Sequence, residues 1–545
     1  MTAKELHELG EELFSKRTSL MLFLQEVAEH FYPERADFTY MRSLGTDFAA
    51  NMMTSYPMMV RRDLSDQLGE MLRPTNKEYA RITIKGGGKI GNDAQRYLQM
   101  MAKAQRRAMY DRRSQFTESE KLNDGDFSCF GNAVTQVRLN KEKNRLLYLN
   151  WHLRDVAWQH NEDRELCAVF RRHKAQARDL VRTFKQVHPD ISRCLTGTNP
   201  KPFEEFECMH MMVQADMYDD KSRQGMEWWS IWYDTKHSQV LEAVAVPDNE
   251  YVISRWLKPG SSQYAFSPAV VVALPEGRLL QAMTHTLVEA GEKIVNPPLL
   301  AVNDAVTSSV NVFAGGITWA SQDYDERTGE VLRPMNIDAK GMPLGMDMVR
   351  DSRAMLLQAF YINKLQLPQR TAEMTAYEVG QRVQEYIRQA LPLFEPMEYE
   401  RNGQMWEKTF HLMRRHGAFG SELDWPKEIR PNNVEFIFES PLHDALEAVN
   451  GQLFLESQQY IAAAAQLDPT AAAMIDVKEA LRDVLAGRRV PATWVRSEVT
   501  VQQIEDQVKQ QAAAQQQLAA MQQGSEVVSN LAGAAKDNAG AAVAA

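Results

Sequence analysis

No stretch of this 545-residue sequence approaches the ~18 consecutive apolar residues that a membrane-spanning helix needs. The densest early cluster, Leu20 to Leu24, is short and sits among charges, so no membrane partner is expected. The opening residues carry Glu5 and Glu8 where a signal peptide has a basic and then an apolar run, and export is not expected either. Cysteine is scarce. Cys129, Cys167, Cys194 and Cys208 form no CxxC pair, and a chain of this length does not need disulfides, so reduced and mostly buried thiols are expected. An excess of positive charge is also missing: 62 basic against 72 acidic residues give a net charge of -10. That excludes a protein that grips nucleic acid over a broad basic face. It leaves room for one that lets nucleic acid slide past, because a surface neutralising roughly 6–10 phosphates would bind with a salt dependence of about three to five decades, and a conduit must avoid that grip.

Catalytic signatures are absent as well. Lys85 to Gly91 is glycine-rich but lacks the GxxxxGK[ST] spacing that lets backbone amides cradle phosphates, and reads as a turn. No HExxH motif and no Ser-His-Asp ordering occurs. Glu207-Cys208-Met209-His210 offers one Cys and one His with no second pair, which favours a structural role over metal binding. Met52-Met53 and Met58-Met59 read as flexible core filler rather than copper ligands. Lys103, Arg106 and Arg107 lack interleaved stacking aromatics and read as a solvated helix face. No catalytic, cofactor or metal residues are expected. A nucleotide-driven packaging or nucleic-acid-processing enzyme, the alternative class, would need a Walker-type loop or an acidic metal cluster, and the sequence contains neither.

What is present is a chain that is 44% hydrophobic, long enough for roughly three or four structural units. Its pattern predicts an α+β fold, mainly helical. Helices are expected over 3–31 and 47–72, a strand over 79–84 and a helix over 94–110. Short apolar runs between Phe127 and Val252 predict mixed β structure with one helix near 175–187, the runs 132–137, 145–149, 227–233, 240–246 and 250–256 being the clearest. The organising stretch is Pro275 to Phe394. Arg278 to Val295 sets Leu280, Met283, Leu287, Ala290 and Ile294 three and four residues apart, one apolar stripe, and Asn296-Pro297-Pro298 stops it. Met346 to Leu365 carries Met348, Met355, Ala359 and Ile362 on one side, with Val349, Leu356 and Phe360 beside them. Each helix is ~27–30 Å long. Between them Val302 to Leu332, with Gly315-Gly316 and a turn at 325–329, predicts a small β-containing lobe. After the second helix comes a polar, Pro-broken segment, Asn363 to Arg370, and then the capping box Thr375-x-x-Glu378 of a further helix. A return strand is expected at 434–438, with helices over 442–466, 471–486 and 500–523. The Ala/Gln run Gln510 to Gln523 forms helix readily, but its apolar stripe is too thin to fold alone.

These pieces resemble the portal, or head-to-tail connector, family of short-tailed bacteriophages of the T7-like type. The resemblance rests on Glu29 to Arg35 (EHFYPER), Phe130 to Val134 (FGNAV), Ser267 to Pro275 (SPAVVVALP), Asn296-Pro297-Pro298, Met374 to Arg382 (MTAYEVGQR) and Glu439 to Leu442 (ESPL), in family order, with a looser match between Met52 and Ile82. It implies a wing at 1–274, stem helices at 275–298 and 344–365, and a clip at 299–343. It also implies a channel loop at 366–374, a long wing helix and return strand at 375–441, a crown at 442–499 and a C-terminal helical barrel with its tail at 500–545. It further implies a homo-oligomeric ring, a dodecamer in the family, assembled in the host cytoplasm and built into the virion at the capsid vertex. Through such a ring double-stranded DNA is packaged and ejected. The implied partners are the terminase large subunit, transiently, then a tail adaptor, the major capsid protein, and internal core or scaffold proteins. Asn363, Lys364, Gln369 and Arg370 are the candidates for facing DNA, against an ordinary exposed loop. Met283, Leu287, Ile294, Met355, Ala359 and Ile362 are the candidates for stem packing. A ring or scaffold protein that never meets DNA is the other structural reading.

Overall fold

The computed structural model describes residues 1–301 apart from short stretches such as 86–90 and 219–224, then isolated positions of 306–330. It further describes 332–335, 339–365, 397–429, 434–438 and scattered positions from 458, of which 500–515 form the longest run. The channel loop with Gln369 and Arg370, the helix expected from Thr375, most of the clip and nearly all of the crown lie outside the described residues.

Two compact units divide the chain: Met1–Tyr79 with Arg107–Arg415 and Ser440–Leu442, and Ala80–Arg106 with His416–Glu439 and His443–Ala545. In chain order the helices are α1 Ala3–Lys16, α2 Thr18–Phe31, α3 Tyr56–Leu72, α4 Asn92–Met109, α5 Phe116–Phe130, α6 Ala177–Thr183, α7 Pro189–Thr196, α8 Leu274–Val295, α9 Met342–Ala359, α10 Ile362–Leu365 and α11 Gln404–Arg415. The strands are β1 Ala80–Ile84, β2 Asn132–Leu139, β3 Leu146–Trp151, β4 Val156–His160, β5 Leu166–Gln176, β6 Glu205–Gln214, β7 Trp228–Asp234, β8 Gln239–Val246, β9 Tyr251–Arg255, β10 Leu299–Ala301, β11 Leu332–Pro334 and β12 Val434–Phe438.

In the first unit, β4 to β8 form a five-stranded antiparallel meander, and β3, β2 and β9 form a three-stranded sheet. Alternation along β6 splits its residues between two cores, as period-2 side chains require. Met209, Met211 and Val213 join Ala3, Leu6 and Phe14 of α1 on one face. Phe206 and Cys208 join Ala177 and Leu180 of α6 and Ile191 of α7 on the other. The helix α1 starts cleanly because Thr2 and Glu5 form a capping box. The single helix expected over 3–31 is two, and the break has a tertiary cause. Arg17 is buried, and its guanidinium donates to the backbone carbonyls of Leu153, Arg154 and Val156. The helix expected from 47 begins only at Tyr56, with Pro57 in its first turn, where proline's missing N–H costs nothing.

The helix α5 is the largest departure from the sequence reading. Its segment is rich in acids, yet Glu120, Asn123, Asp124, Asp126 and Ser128 are all buried. Arginines from elsewhere make this possible. Arg73 at the end of α3 lies 2.5 Å from Asp124 and 3.2 Å from Glu120, and Arg35 holds Asp126 at 2.6 Å. Arg401, fully buried in a π-helical turn over Glu398–Gly403, lies 3.0 Å from Glu120. Its Nη1 is 2.5 Å from Asp124 Oδ1, an ion pair without hydrogen-bond alignment. Burial opposes the charge on Arg73, but Asp124 and Glu120 outweigh it and hold the guanidinium firmly protonated. The helix ends at Gly131, at φ +76°, where a Cβ would meet the backbone N of Ser267 at 2.5 Å, so only glycine fits.

In the second unit β1 pairs with β12 in antiparallel register, Ala80 opposite Phe438 and Ile84 opposite Val434. The stretch 80–106, which the resemblance places in the wing, therefore packs with 416–439, because the strand Ala80–Ile84 finds its hydrogen-bonding partner there. Tyr97 donates to the Phe419 carbonyl at 2.7 Å, and Arg96 to that of Val495 at 3.0 Å. Residues 500–515 are helical and mostly exposed along their length.

Candidate functional site: the stem pair and its ends

The helices α8 and α9 pack against each other and are joined at one end by a segment whose base is the antiparallel pair β10–β11, with Leu299 opposite Pro334 and Ala301 opposite Leu332. The first helix, at 22 residues, spans about 33 Å. Close approach is set near the tip, where Gly345 faces Leu287 and a Cβ on Gly345 would lie 2.8 Å from a Leu287 methyl.

The two ends of the pair differ. At the root, Leu280 of α8 and Leu356 of α9 are fully buried, α2 and α3 pack alongside, and Phe360 packs against Phe31 with the rings tilted and their centroids 5.5 Å apart. Gln281 accepts from the backbone N–H groups of Met53 and Thr54 and donates to the Thr54 carbonyl, tying that loop to the stem. Arg278 pairs with Glu26 of α2 at 2.5 Å. Beyond Leu280 no residue of α8 is fully buried. Leu344 and Val295 are 67% and 87% exposed, and Val288, Met346 and Met348 are exposed too.

Of the expected stem-packing residues, Met283, Leu287 and Ile294 are half-buried, and Ala359 and Ile362 are buried. Met355 is 53% exposed. The row that α9 buries within the chain is Val349, Ser352, Leu356 and Ala359, one position round from the Met348–Met355 side that the spacing picks out. The methionines Met346, Met348 and Met355 are left exposed on the other side.

At the root the chain turns sharply. Tyr361 adopts φ +58°, uncommon for a residue with a side chain, and Ile362 anchors the short helix α10 by burying its side chain. That leaves Asn363 and Lys364 exposed and adjacent. The Lys364 backbone N–H donates to the Tyr361 carbonyl at 2.9 Å, and its ammonium lies 5.5 Å from the Tyr361 ring centroid. Of the expected DNA-facing set, the described residues Asn363 and Lys364 are sequence neighbours and both exposed.

The tetrapeptide weighed for metal has another use. His210 is fully buried, its Nδ1 2.6 Å from the Tyr251 hydroxyl and its Nε2 2.9 Å from the Ser230 hydroxyl, while Cys208 sits among α6 and α7. Burial, then Arg171, hold that imidazole neutral, well below its ordinary range. The four cysteines are free thiols, and burial pushes those of Cys167 and Cys208 up, the latter to about 12. Among the described residues no helix is long and apolar enough to cross a membrane.

A helix pair rooted in an α+β lobe, with a strand-paired tip and apolar rows left open, is a structural module that positions surfaces. The chain belongs to the bacteriophage head to tail connecting protein family, whose family model matches residues 3–495. It is also similar to the portal protein of Salmonella phage epsilon15, at 22% identity over 271 residues, a match covering 49% of this chain and 47% of that protein.

Proposed function

We propose that the chain is the portal subunit of a phage head, a structural protein without enzymatic activity. Copies of it form a ring at one capsid vertex, a dodecamer as the resemblance implies, and double-stranded DNA passes through the central hole during packaging and ejection. The observation that carries this reading is the outer face of the stem. Val288, Val295, Leu344, Met346, Met348 and Met355 leave apolar area in water that a single chain does not cover, and a row of neighbouring stems would cover it. The acidic excess of the chain keeps the duplex mobile, and Asn363 and Lys364, with Gln369 and Arg370 beyond them, supply scattered contacts to phosphate rather than a continuous basic track. The clip beyond β10 and β11 docks the terminase large subunit and later a tail adaptor. The major capsid protein meets the wing, and internal core or scaffold proteins meet the C-terminal helices.

Negative-stain microscopy of the purified protein tests this directly. Closed rings with a central hole are expected. A compact monomer at every protein concentration and ionic strength would overturn the ring, and ATP hydrolysis by the protein alone would overturn the non-enzymatic reading.

A further inference from the structure

Where the β7–β8 turn meets the start of α7, two imidazoles and a carboxylate face one another, although 49 positions separate the outermost two in sequence (237 minus 188). His188 is the N-cap of α7, Asp190 lies in its first turn, and His237 lies in the β7–β8 turn. One potential ligand atom from each lies within 4.8 Å of the other two. Asp190 Oδ2 is 3.5 Å from His188 Nδ1 and 3.7 Å from His237 Nε2. Ligands bound to one zinc ion at 2.0–2.1 Å in tetrahedral geometry lie roughly 3.3 Å apart, so the two separations from Asp190 need a contraction of only a few tenths of an ångström, and the two imidazole donors, within 4.8 Å of each other, would close on the ion with them.

A second observation concerns orientation. Asp234 at the end of β7 is fully buried, and its Oδ2 lies 2.6 Å from His237 Nδ1. Its Oδ1 accepts the backbone N–H groups of Lys236 and His237 at 3.0 and 3.3 Å, which fixes the carboxylate in place. A buried carboxylate on one imidazole nitrogen sets the tautomer and aims the other nitrogen outward as a ligand, the arrangement that supports metal-bound histidines. The His188 ring stacks on that of His237 with centroids 4.0 Å apart and 12° between planes, and it would rotate out of that stack to bind, because each imidazole nitrogen meets an ion in the plane of its own ring. Its Nδ1 would give up a long 3.3 Å hydrogen bond from the Asp190 N–H to bind the ion. Asp190 Oδ1 is already engaged by Arg193 at 2.9 Å, which leaves Oδ2 for the site.

We infer that His188, Asp190 and His237 form a binding site for one divalent ion of the zinc class, the remaining positions being filled by water. Two neutral imidazoles and a carboxylate suit zinc, cobalt or nickel better than calcium or magnesium, which take oxygen ligands. The ion would tie α7 to the edge of the five-stranded sheet. This inference does not depend on the proposed portal role.

The test is titration of chelator-treated full-length protein with zinc ion alone, read by competition with a chromogenic indicator and by the thermal midpoint. One saturable site per chain and a zinc-dependent rise in midpoint are expected. Asp190→Asn and His237→Gln should each weaken that site by at least ~10-fold and abolish the rise. His285→Gln, an exposed imidazole on α8, should change neither. Cobalt bound at the same site should give visible absorption that the Asp190→Asn variant loses. Asp190 is exposed, so its variant keeps the reading intact even if His237→Gln disturbs folding. Absence of a one-per-chain site, or a site unchanged in Asp190→Asn and in the His188→Gln/His237→Gln double variant, would mean a hydrogen-bonded histidine pair only and would overturn the inference.

Discussion

The sheet β4–β8 covers both of its faces inside one chain, with α1 on one side and α6 and α7 on the other, whereas the α8–α9 pair buries one side of each helix, most fully at its root. The same unit even hides charge where α5 packs on α3, β2 and β3, because Arg73, Arg401 and Arg35 pair with the acids of α5. The stem does the reverse and leaves methionines, leucines and valines in water. The difference separates a region whose apolar residues are covered within one chain from one that leaves them exposed. Stability and assembly should therefore respond to different substitutions.

The largest effect is expected inside the lobe. Arg401→Met leaves Glu120 and Asp124 buried with one fewer cation, and should cost about 3–5 kcal/mol, read as a fall in the denaturation midpoint. Rings of normal stability from that variant would show that the acids of α5 do not need Arg401. Neighbouring stem residues give the sharpest contrast. Leu356→Ala removes a fully buried side chain and should cost about 2–5 kcal/mol. Met355→Asp, one position away and exposed, should leave monomer stability within about 0.5 kcal/mol and instead reduce ring formation in size-exclusion light scattering. If the two substitutions behave alike, the distinction between inner and outer stem faces fails.

Acid should act on the lobe and spare the stem. Burial first, and then neighbouring cations, lower His160 to about 4 and His173 to about 3, and His210 lies well below its ordinary value. In the unfolded chain each takes up a proton near ~6.5. The unfolded state then binds more protons than the folded one between roughly pH 6.5 and 4, so the stability these neutral rings permit is complete above pH ~6.5 and lost as pH falls toward 4. The stem helices contribute only His285, which is exposed. Thermal midpoints across this range should fall, with a shallower fall in His173→Gln. An equally steep fall in that variant would remove His173 from the account. The smallest effect on stability is expected for the double variant Lys364→Ala/Arg370→Ala, which should leave rings and midpoint unchanged while lowering DNA packaging. Unchanged packaging would remove these residues from the channel.

Much of the stem was legible because helical periodicity and proline stops are local. Leu280 to Ile294 announced α8, and Asn296-Pro297-Pro298 its end. The strand at 434–438 was equally visible, although its partner at 80–84 was not, since hydrogen-bond pairing carries no signal in either segment alone. The helix α5 was missed for a related reason. Its acids and Asn123 look like surface residues until arginines distant in sequence arrive to pair with them. On α9 the apolar residues occupy most of the circumference, so spacing alone placed Met355 on the packing row, and only tertiary packing selected Leu356 for burial.

Periodicity and proline stops by themselves determined that this chain builds paired helices around a strand-bearing insert. Those are properties of neighbouring residues. Which acids are buried, where the first helix breaks, which side of α9 faces its partner, and the meeting of His188 with His237 were decided only in three dimensions. Each depends on a contact between residues far apart in sequence, whose free energy exists only once the backbone has brought them within reach.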